Sequence, residues 1–303
     1  MNIAIIEKLK EILPADCVLV EEPMSKHTTF RIGGVADIFV TPAISKIAEV
    51  MQIAKEYEIP VTIIGNGSNL LVGDKGIRGL VVSFGRAAEE LRVDGTSITI
   101  GAGTLLSKAA QLAAKEGLSG MEFAAGIPGS LGGAIVMNAG AYGGEMKDIV
   151  EAVTVLDAEG KIQRLTNEEM DFSYRHSCIV EKDYIVLSAT VKLIPQDEML
   201  IRAQMDDFKM RRVEKQPLEY PSAGSTFKRP EGYFAGKLIE DAGLKGYAVG
   251  DAEVSVKHSG FVINKGKATA KDVLQLIKDV QDKVYDMFQV KLEPEVKMLG
   301  EFE

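Results

Sequence analysis

The stretch AAGIPGSLGGAIVMNAGAYGG, residues 124–144, decides how this chain is read. Its glycines, at 126, 129, 132, 133, 140, 143 and 144, are too frequent for a long regular helix or strand, because each costs backbone entropy inside one. What glycine permits instead is positive φ and close approach of backbone N–H groups to a ligand. A second cluster, IGNGSNLLVG at 64–73, follows a short β-branched run. There Gly65 and Gly67 are expected to take positive φ and turn backbone N–H groups onto an anion, with Ser68 and Asn69 adding polar contacts. Neither cluster is a G-x-G-x-x-G dinucleotide fingerprint, since Leu70 stands where the third glycine belongs, and no G-x-x-x-x-G-K-[ST] occurs. Two such loops in one region of mixed α and β elements imply one large ligand, such as a dinucleotide, held between them.

Outward from these loops the chain alternates helical and extended patterns. Residues 43–58 carry apolar side chains at helical spacing, and Pro60 ends that helix before the strand VTIIG. GLVVSF (79–84) and SITIGAG (97–103) read as strands, followed by a helix over TLLSKAAQLAAKEG. AVTVLDAEGKIQRLT predicts a hairpin turning at Glu159 and Gly160, and Thr166 with Glu169 a capping box that opens a short helix. YIVLSATVKLIP is a further strand. A long charged helix over 198–216 then leads to a helix at FAGKLIEDAG, strands at AEVSV and GFVINKG, and a helix over 270–288 whose start is marked by Thr269 and Asp272. The expected division is 1–85, 86–200 and 201–303, in an α+β fold.

With 303 residues the chain is longer than one core usually supports. Its net charge of -9 argues against a nucleic-acid or anionic-membrane binder. No apolar run reaches the eighteen or so residues of a membrane span, and the start has no secretory cleavage pattern, so a cytoplasmic protein is expected. Cys17 and Cys178 belong to no ligand pattern, which predicts neither a disulfide framework nor a metal site. The carboxy-terminal third nevertheless gathers Arg211, Arg212, Lys215, Lys228, Arg229, Lys237 and Lys245, enough for an anionic small substrate.

The remaining stretch of note is YPSAGSTFKRPEG, 220–232. Ser225 lacks the glycines two residues either side that a nucleophile elbow needs, having Ala223 and Phe227 there, and nothing near it reads as a triad. Read alone, the stretch is a turn.

Taken in order, TTFRIGGVAD (28–37), GNGSNLL (65–71), GIPGSLGGAIVMNAGAYG (126–143), YRHS (174–177), SAGSTFKRP (222–230), AGLKG (242–246) and LEPEV (292–296) resemble the UDP-N-acetylenolpyruvoylglucosamine reductase (MurB) family. The resemblance runs from about residue 25 to the carboxy terminus. It implies a two-lobed FAD-binding region of the vanillyl-alcohol-oxidase (PCMH) type plus a carboxy-terminal α+β substrate-binding domain, with FAD held non-covalently and NADPH as hydride donor. On matching positions, Gly65, Asn66, Gly67, Ser68, Asn69, Gly126, Pro128, Gly129, Gly132 and Gly133 would hold the FAD diphosphate and its neighbours, and Asn138, Gly140, Ala141 and Tyr142 would continue that wall. The family's three catalytic residues fall on Arg175, Ser225 and Glu295. The interval from Arg175 to Ser225 is short, like the compact form of the family that lacks a substrate-capping loop.

The implied reaction passes a hydride to the enolpyruvyl ether of a UDP-sugar in peptidoglycan synthesis. A hydride arriving at the vinyl carbon pushes charge into the conjugated carboxylate, so a fixed cation and a proton donor are required. Arg175 suits the first role and Ser225 the second; Glu295 suits orienting Arg175, meeting the carboxyl as a protonated acid, or tuning the donor. Tyr174, Lys215, Lys228, Arg229, Lys237 and His258 form the pool for further substrate contacts. Where many relatives carry Phe-Lys-Asn-Pro, this chain has Phe227-Lys228-Arg229-Pro230. A monomer is expected, with a UDP-sugar and NADPH as its small-molecule partners. The competing readings are a sugar or alcohol oxidase of the same fold and a non-catalytic nucleotide-sugar binder.

Overall fold

The computed structural model describes residues 3–302, which divide into two compact units interleaved along the chain. The first takes the residues up to Leu19, Ile38–Asn66 and Leu80–Arg211; the second takes Val20–Asp37, Gly67–Gly79 and the chain from Arg212 on. The carboxy-terminal break therefore falls after residue 211 rather than 200, inside a helix. Residues 85 and 86 share a unit, and two early segments belong with the carboxy-terminal third.

The first unit contains helices α1 (Ile3–Ile12), α2 (Ile47–Glu56), α3 (Leu106–Lys115), α4 (Leu131–Val136) and α5 (Met146–Ile149), and most of α6 (Glu198–Lys215). A five-stranded antiparallel sheet runs in the order 162–166, 150–156, 185–192, 97–101, 91–94. Helix α3 buries Leu106, Ala109, Ala110, Ala113 and Ala114, a stripe of helical period made of small residues. The hairpin forms where expected: the Asp157 carboxylate accepts hydrogen bonds from the Glu159 and Lys161 N–H groups at 3.1 and 2.8 Å and so closes its turn. Thr166 and Glu169 do exchange reciprocal side-chain bonds, but only a turn follows, not a helix. Both α1 and α4 are elements the sequence pattern left unassigned.

The second unit holds a four-stranded antiparallel sheet, ordered 222–225, 261–264, 252–254, 248–249, with helices α7 (Ala235–Asp241) and α8 (Ala270–Phe288). Strand 297–299 pairs in parallel with 70–72. Phe30, Ile32 and Leu71 share a core with Val262, Leu276 and Val280, which is why segments so distant in sequence belong together. Among the described residues no helix is long and apolar enough to cross a membrane, and no cluster of three metal-ligating side chains occurs.

Helix α8 begins on a shared cap. Thr269 and Asp272 form the capping box, while the Asp74 carboxylate accepts the Ala270 and Lys271 N–H groups at 2.8 and 3.0 Å. Asp74 thus satisfies two of the four N–H groups that a helix start leaves without partners. Replacing Asp74 by Ala is expected to cost about 1 kcal/mol of unfolding free energy, the usual loss for a cap. Denaturant melts of the variant check this, and an unchanged midpoint would contradict the cap.

Candidate functional site

In the first unit the two glycine clusters meet. A Cβ at Gly65 would lie 2.6 Å from Ser130 Oγ and 3.6 Å from the Gly133 nitrogen, so glycine is what lets this backbone reach the 126–133 loop. Asn66 Nδ2 donates to the Pro128 carbonyl at 2.6 Å and ties the loops directly. The far side of the loop is fastened to the sheet: Leu106 N–H donates to Gly129 O, Leu131 N–H to Thr104 O and Gly132 N–H to Ala102 O, at 2.9 to 3.0 Å. Gly132 therefore uses its own N–H inside the protein, and a Cβ there would press to 3.2 Å on Ala102. Ser130 is buried, and its hydroxyl has no hydrogen-bond partner within the chain.

The wall continues as a short hairpin in which Ala141 pairs with Gly144 and the two turn residues, Tyr142 (φ 54°) and Gly143 (φ 91°), are both left-handed. This is the geometry that favours hairpin closure. Gly140 needs its bareness for that hairpin, since a Cβ would lie 2.7 Å from the Gly144 carbonyl oxygen. The Tyr142 ring stacks on Phe208 of α6 at 4.6 Å. Asn138 is fully buried, and its amide is spent within the protein: Nδ2 donates to Glu145 Oε2 at 2.7 Å and Ser173 O at 3.0 Å, and Oδ1 accepts from Lys147 N–H at 2.9 Å. Both donors of that amide are therefore used within the chain.

Arg175 occupies the third position of a turn in which Ser173 and His176 exchange both backbone hydrogen bonds at 3.2 Å. Its φ is +57°, a conformation costly for a side chain with a Cβ. Its guanidinium lies 5.1 Å from the centre of the exposed Tyr174 ring. His176, next in sequence, points Nε2 at Glu181 Oε1 (2.8 Å) and Nδ1 at the Asp171 carbonyl (3.2 Å). Both neighbours are acceptors, and only an imidazolium can donate to both. The Glu181 bond accordingly raises the His176 pKa.

In the second unit Gly67 is left-handed (φ +64°), as expected, whereas Gly65 is not among the left-handed residues. The demand at Gly67 is chiefly packing: a Cβ would lie 1.9 Å from the His27 carbonyl oxygen. Asn69 Nδ2 donates to the Glu295 carbonyl at 3.1 Å, so that amide too serves the protein backbone. The structure brings Ser225 and Glu295 onto adjoining backbone. Thr226 O accepts from Glu295 N–H and Glu293 O accepts from Lys228 N–H, both at 2.8 Å. Thr226 itself is buried, its Oγ1 accepting from Val262 N–H at 3.0 Å, and Ser225 beside it is exposed.

The expected substrate cations have varied surroundings. Lys228 meets Glu293 at 3.2 Å, Lys237 pairs with Asp241 on α7, and Lys215 is exposed in the last turn of α6. The Arg229 guanidinium lies 4.0 Å from the Phe234 ring centre while its Nε donates to Tyr233 O at 3.3 Å. His258 accepts from Gly260 N–H through Nδ1 at 3.1 Å, and burial lowers its pKa.

Comparison with known proteins supplies the frame. Residues 216–299 match the family described as UDP-N-acetylenolpyruvoylglucosamine reductase, C-terminal domain, and residues 36–166 match an FAD binding domain. A UDP-N-acetylenolpyruvoylglucosamine reductase of Agathobacter rectalis is 59% identical over the whole of both chains. One from Clostridium novyi is 55% identical over 99% of this chain and 98% of its own. Among solved structures, UDP-N-acetylenolpyruvylglucosamine reductase (MurB) from Thermus caldophilus superposes with a TM-score of 0.80 at 37% identity, covering 93% of this chain and 98% of that one.

The two site histidines are expected to titrate in opposite senses. A raised pKa makes the His176 contribution to stability fully present below the unfolded value of about 6.5 and lost as pH rises through the folded one. For His258 the lowered pKa works the other way, its contribution being present above about 6.5 and lost as pH falls through the folded value. Imidazole NMR titration checks both, and Glu181→Gln should return His176 toward the ordinary value. A His176 pKa below 6.5, the ordinary figure, would contradict the two-acceptor geometry.

Proposed function

The chain belongs to the UDP-N-acetylenolpyruvoylglucosamine reductase family, flavoprotein oxidoreductases of peptidoglycan synthesis, and from that premise we propose how its own residues carry the reaction. The substrate is UDP-N-acetylglucosamine enolpyruvate, the product UDP-N-acetylmuramate, and NADPH the reductant. The observation that best supports the residue assignment is the bridge between Thr226–Lys228 and Glu293–Glu295, which puts the backbone of Glu295 beside that of the residue after Ser225.

The cofactor is FAD. The residues of the first unit fit a dinucleotide diphosphate: the loops meet at Gly65 and Ser130, and the buried Ser130 hydroxyl, which lacks a partner within the chain, would have one in a phosphate oxygen. An unpartnered buried hydroxyl is costly to the protein alone, which a bound acceptor removes. Gly126, Pro128 and Gly129 form the loop, and Asn66 fixes it through Pro128. Ser68 remains a candidate on its sequence position alone. When bound, FAD supplies two-electron chemistry, accepting a hydride from NADPH and delivering one to the vinyl carbon.

What the chain must then do is manage charge and one proton. Arg175 neutralises the substrate carboxylate as negative charge flows into it, and a turn that holds the arginine in a strained conformation before substrate arrives spares reorganisation during the reaction. Ser225 gives its proton to the carbon next to the one that receives hydride. A serine hydroxyl is a weak acid, so nearby cations matter; Lys228 follows three residues on, its N–H held by Glu293 O. Glu295 lies on the adjoining segment, its N–H bonded to the carbonyl of the residue after Ser225. Lys215, Lys228, Arg229, Lys237 and His258, with Tyr174, remain the pool for the UDP portion.

Two outcomes test this reading. Ser130→Ala should weaken FAD affinity by about tenfold or more, the range of a hydrogen bond to a charged group, without lowering apoprotein stability. Equilibrium flavin titration measures the first and thermal melts the second; unchanged affinity would remove Ser130 from the site. In Ser225→Ala the bleaching of flavin by NADPH should proceed at nearly the normal rate, since no proton goes to substrate carbon in that half. Reoxidation by the enolpyruvyl UDP-sugar should slow by about 10²- to 10⁴-fold, the usual value of a lost general acid. Rapid-mixing absorbance separates the halves, and an unimpaired second half would exclude Ser225 as the donor.

A further inference from the structure

We propose that the asparagines of the two glycine loops, Asn138 and Asn69, are positioning residues that hold the backbone segments carrying Arg175 and Glu295. The inference rests on the catalytic reading of those two residues above. It concerns one tie within each unit.

Asn138 has no exposed surface, and both donors and one acceptor position of its amide are used. The Lys147 N–H demands the oxygen and the Ser173 carbonyl demands the nitrogen, so the amide can sit only one way round. Ser173 O is the base of the Arg175 turn, where it also accepts from His176 N–H. A second bond, from Ser177 Oγ to Val136 O at 2.8 Å, fastens the other side of that turn to the last residue of α4. Between them these bonds hold both flanks of the Tyr174–Arg175 turn. Asn138 is itself left-handed (φ 43°), a conformation asparagine tolerates better than most residues.

Asn69 does the equivalent work in the second unit. Its Nδ2 donates to Glu295 O at 3.1 Å while its own carbonyl accepts from Lys297 N–H at 2.9 Å, gripping the chain on both sides of Val296. Glu295 N–H is taken by Thr226 O. Both peptide groups of Glu295 are thereby pinned, one by the glycine loop and one by the serine strand. Residues that the motifs suggest as cofactor ligands thus spend their donors on the chain's own catalytic segments.

Three variants test this: Asn138→Gly, which removes the amide without straining a left-handed backbone, the milder Ser177→Ala, and Asn69→Ala. FAD content and the rate of flavin bleaching by NADPH should stay near wild type in each. Reoxidation by the enolpyruvyl UDP-sugar should fall by about tenfold to a hundredfold, the cost of misplacing a reacting group by an ångström. Arg175→Lys should cost less in the Asn138→Gly background than alone, because the arginine is already displaced. Independently of activity, hydrogen exchange should quicken at the Ser173 and His176 amides in Asn138→Gly and at the Glu295 and Lys297 amides in Asn69→Ala, with the five-stranded sheet unchanged. Additive costs for Arg175→Lys, or equal losses in both half-reactions, would overturn the proposal. Should wild type itself not be reoxidised by that substrate, the functional reading fails instead, and exchange at the four amides still decides whether the asparagines hold these segments. Unchanged exchange there would overturn it.

Discussion

Close backbone approach at glycine is the constraint on which the second unit depends. A Cβ at Gly34 would lie 2.2 Å from Asp74 O, one at Gly73 would lie 2.1 Å from Glu301 O, and one at Gly76 would lie 1.8 Å from Val35 O. No side-chain adjustment relieves a clash with a carbonyl, so segments from three parts of the chain can lie against one another only where the residue is bare. The approach permits hydrogen bonds that close the arrangement: Gly34 N–H to Gly73 O, Gly73 N–H to Leu299 O and Glu301 N–H to Gly76 O. The parallel pair 70–72 with 297–299 is part of this ladder, and Glu295 enters it immediately upstream.

This arrangement makes the interleaving of the units intelligible. A glycine loop read as a ligand cradle also ties down the backbone of Glu295, through Asn69. Sequence spacing could not separate those duties, because both ask for glycine and small polar residues at a strand-to-loop junction. The same overlap recurs in the first unit, where the 126–144 stretch meets Gly65 on one side and the Arg175 turn on the other. Within each unit a loop that would contact the cofactor is in hydrogen-bond contact with a segment that would contact the substrate.

What could be read from the sequence follows from locality. The α3 stripe, the 150–166 hairpin and the Thr269–Asp272 box depend on residues within a few positions of one another, and each appears where expected. The Thr166–Glu169 pattern formed its bonds without a helix, because a capping box stabilises a start but cannot supply the buried stripe that extends one. Long-range partners were not legible: Asp74 capping α8, Asn138 reaching Ser173 and Asn69 reaching Glu295 span intervals that no periodicity reports. The family motifs gave no sign that the Asn69 and Asn138 amides would bond within the chain or that the buried Ser130 hydroxyl would be left without a partner there.

The cations differ in how readily they could turn to a diphosphate. Lys237 and Asp241 form an exposed pair one helical turn apart, a contact that solvent screens, so an arriving phosphate competes with it on easy terms. Lys228 is likewise held to an exposed carboxylate, although its backbone is fixed. Arg229 is different, because its face is already occupied by Phe234 and its Nε by Tyr233 O, which orients the planar fork and leaves less entropy to lose on binding. His258 brings no charge at neutral pH, since burial holds its pKa down. With Nδ1 accepting from Gly260 N–H, the proton of the neutral ring resides on Nε2. That ring therefore offers a neutral donor, and any neutralising of a diphosphate would fall to the lysines and Arg229.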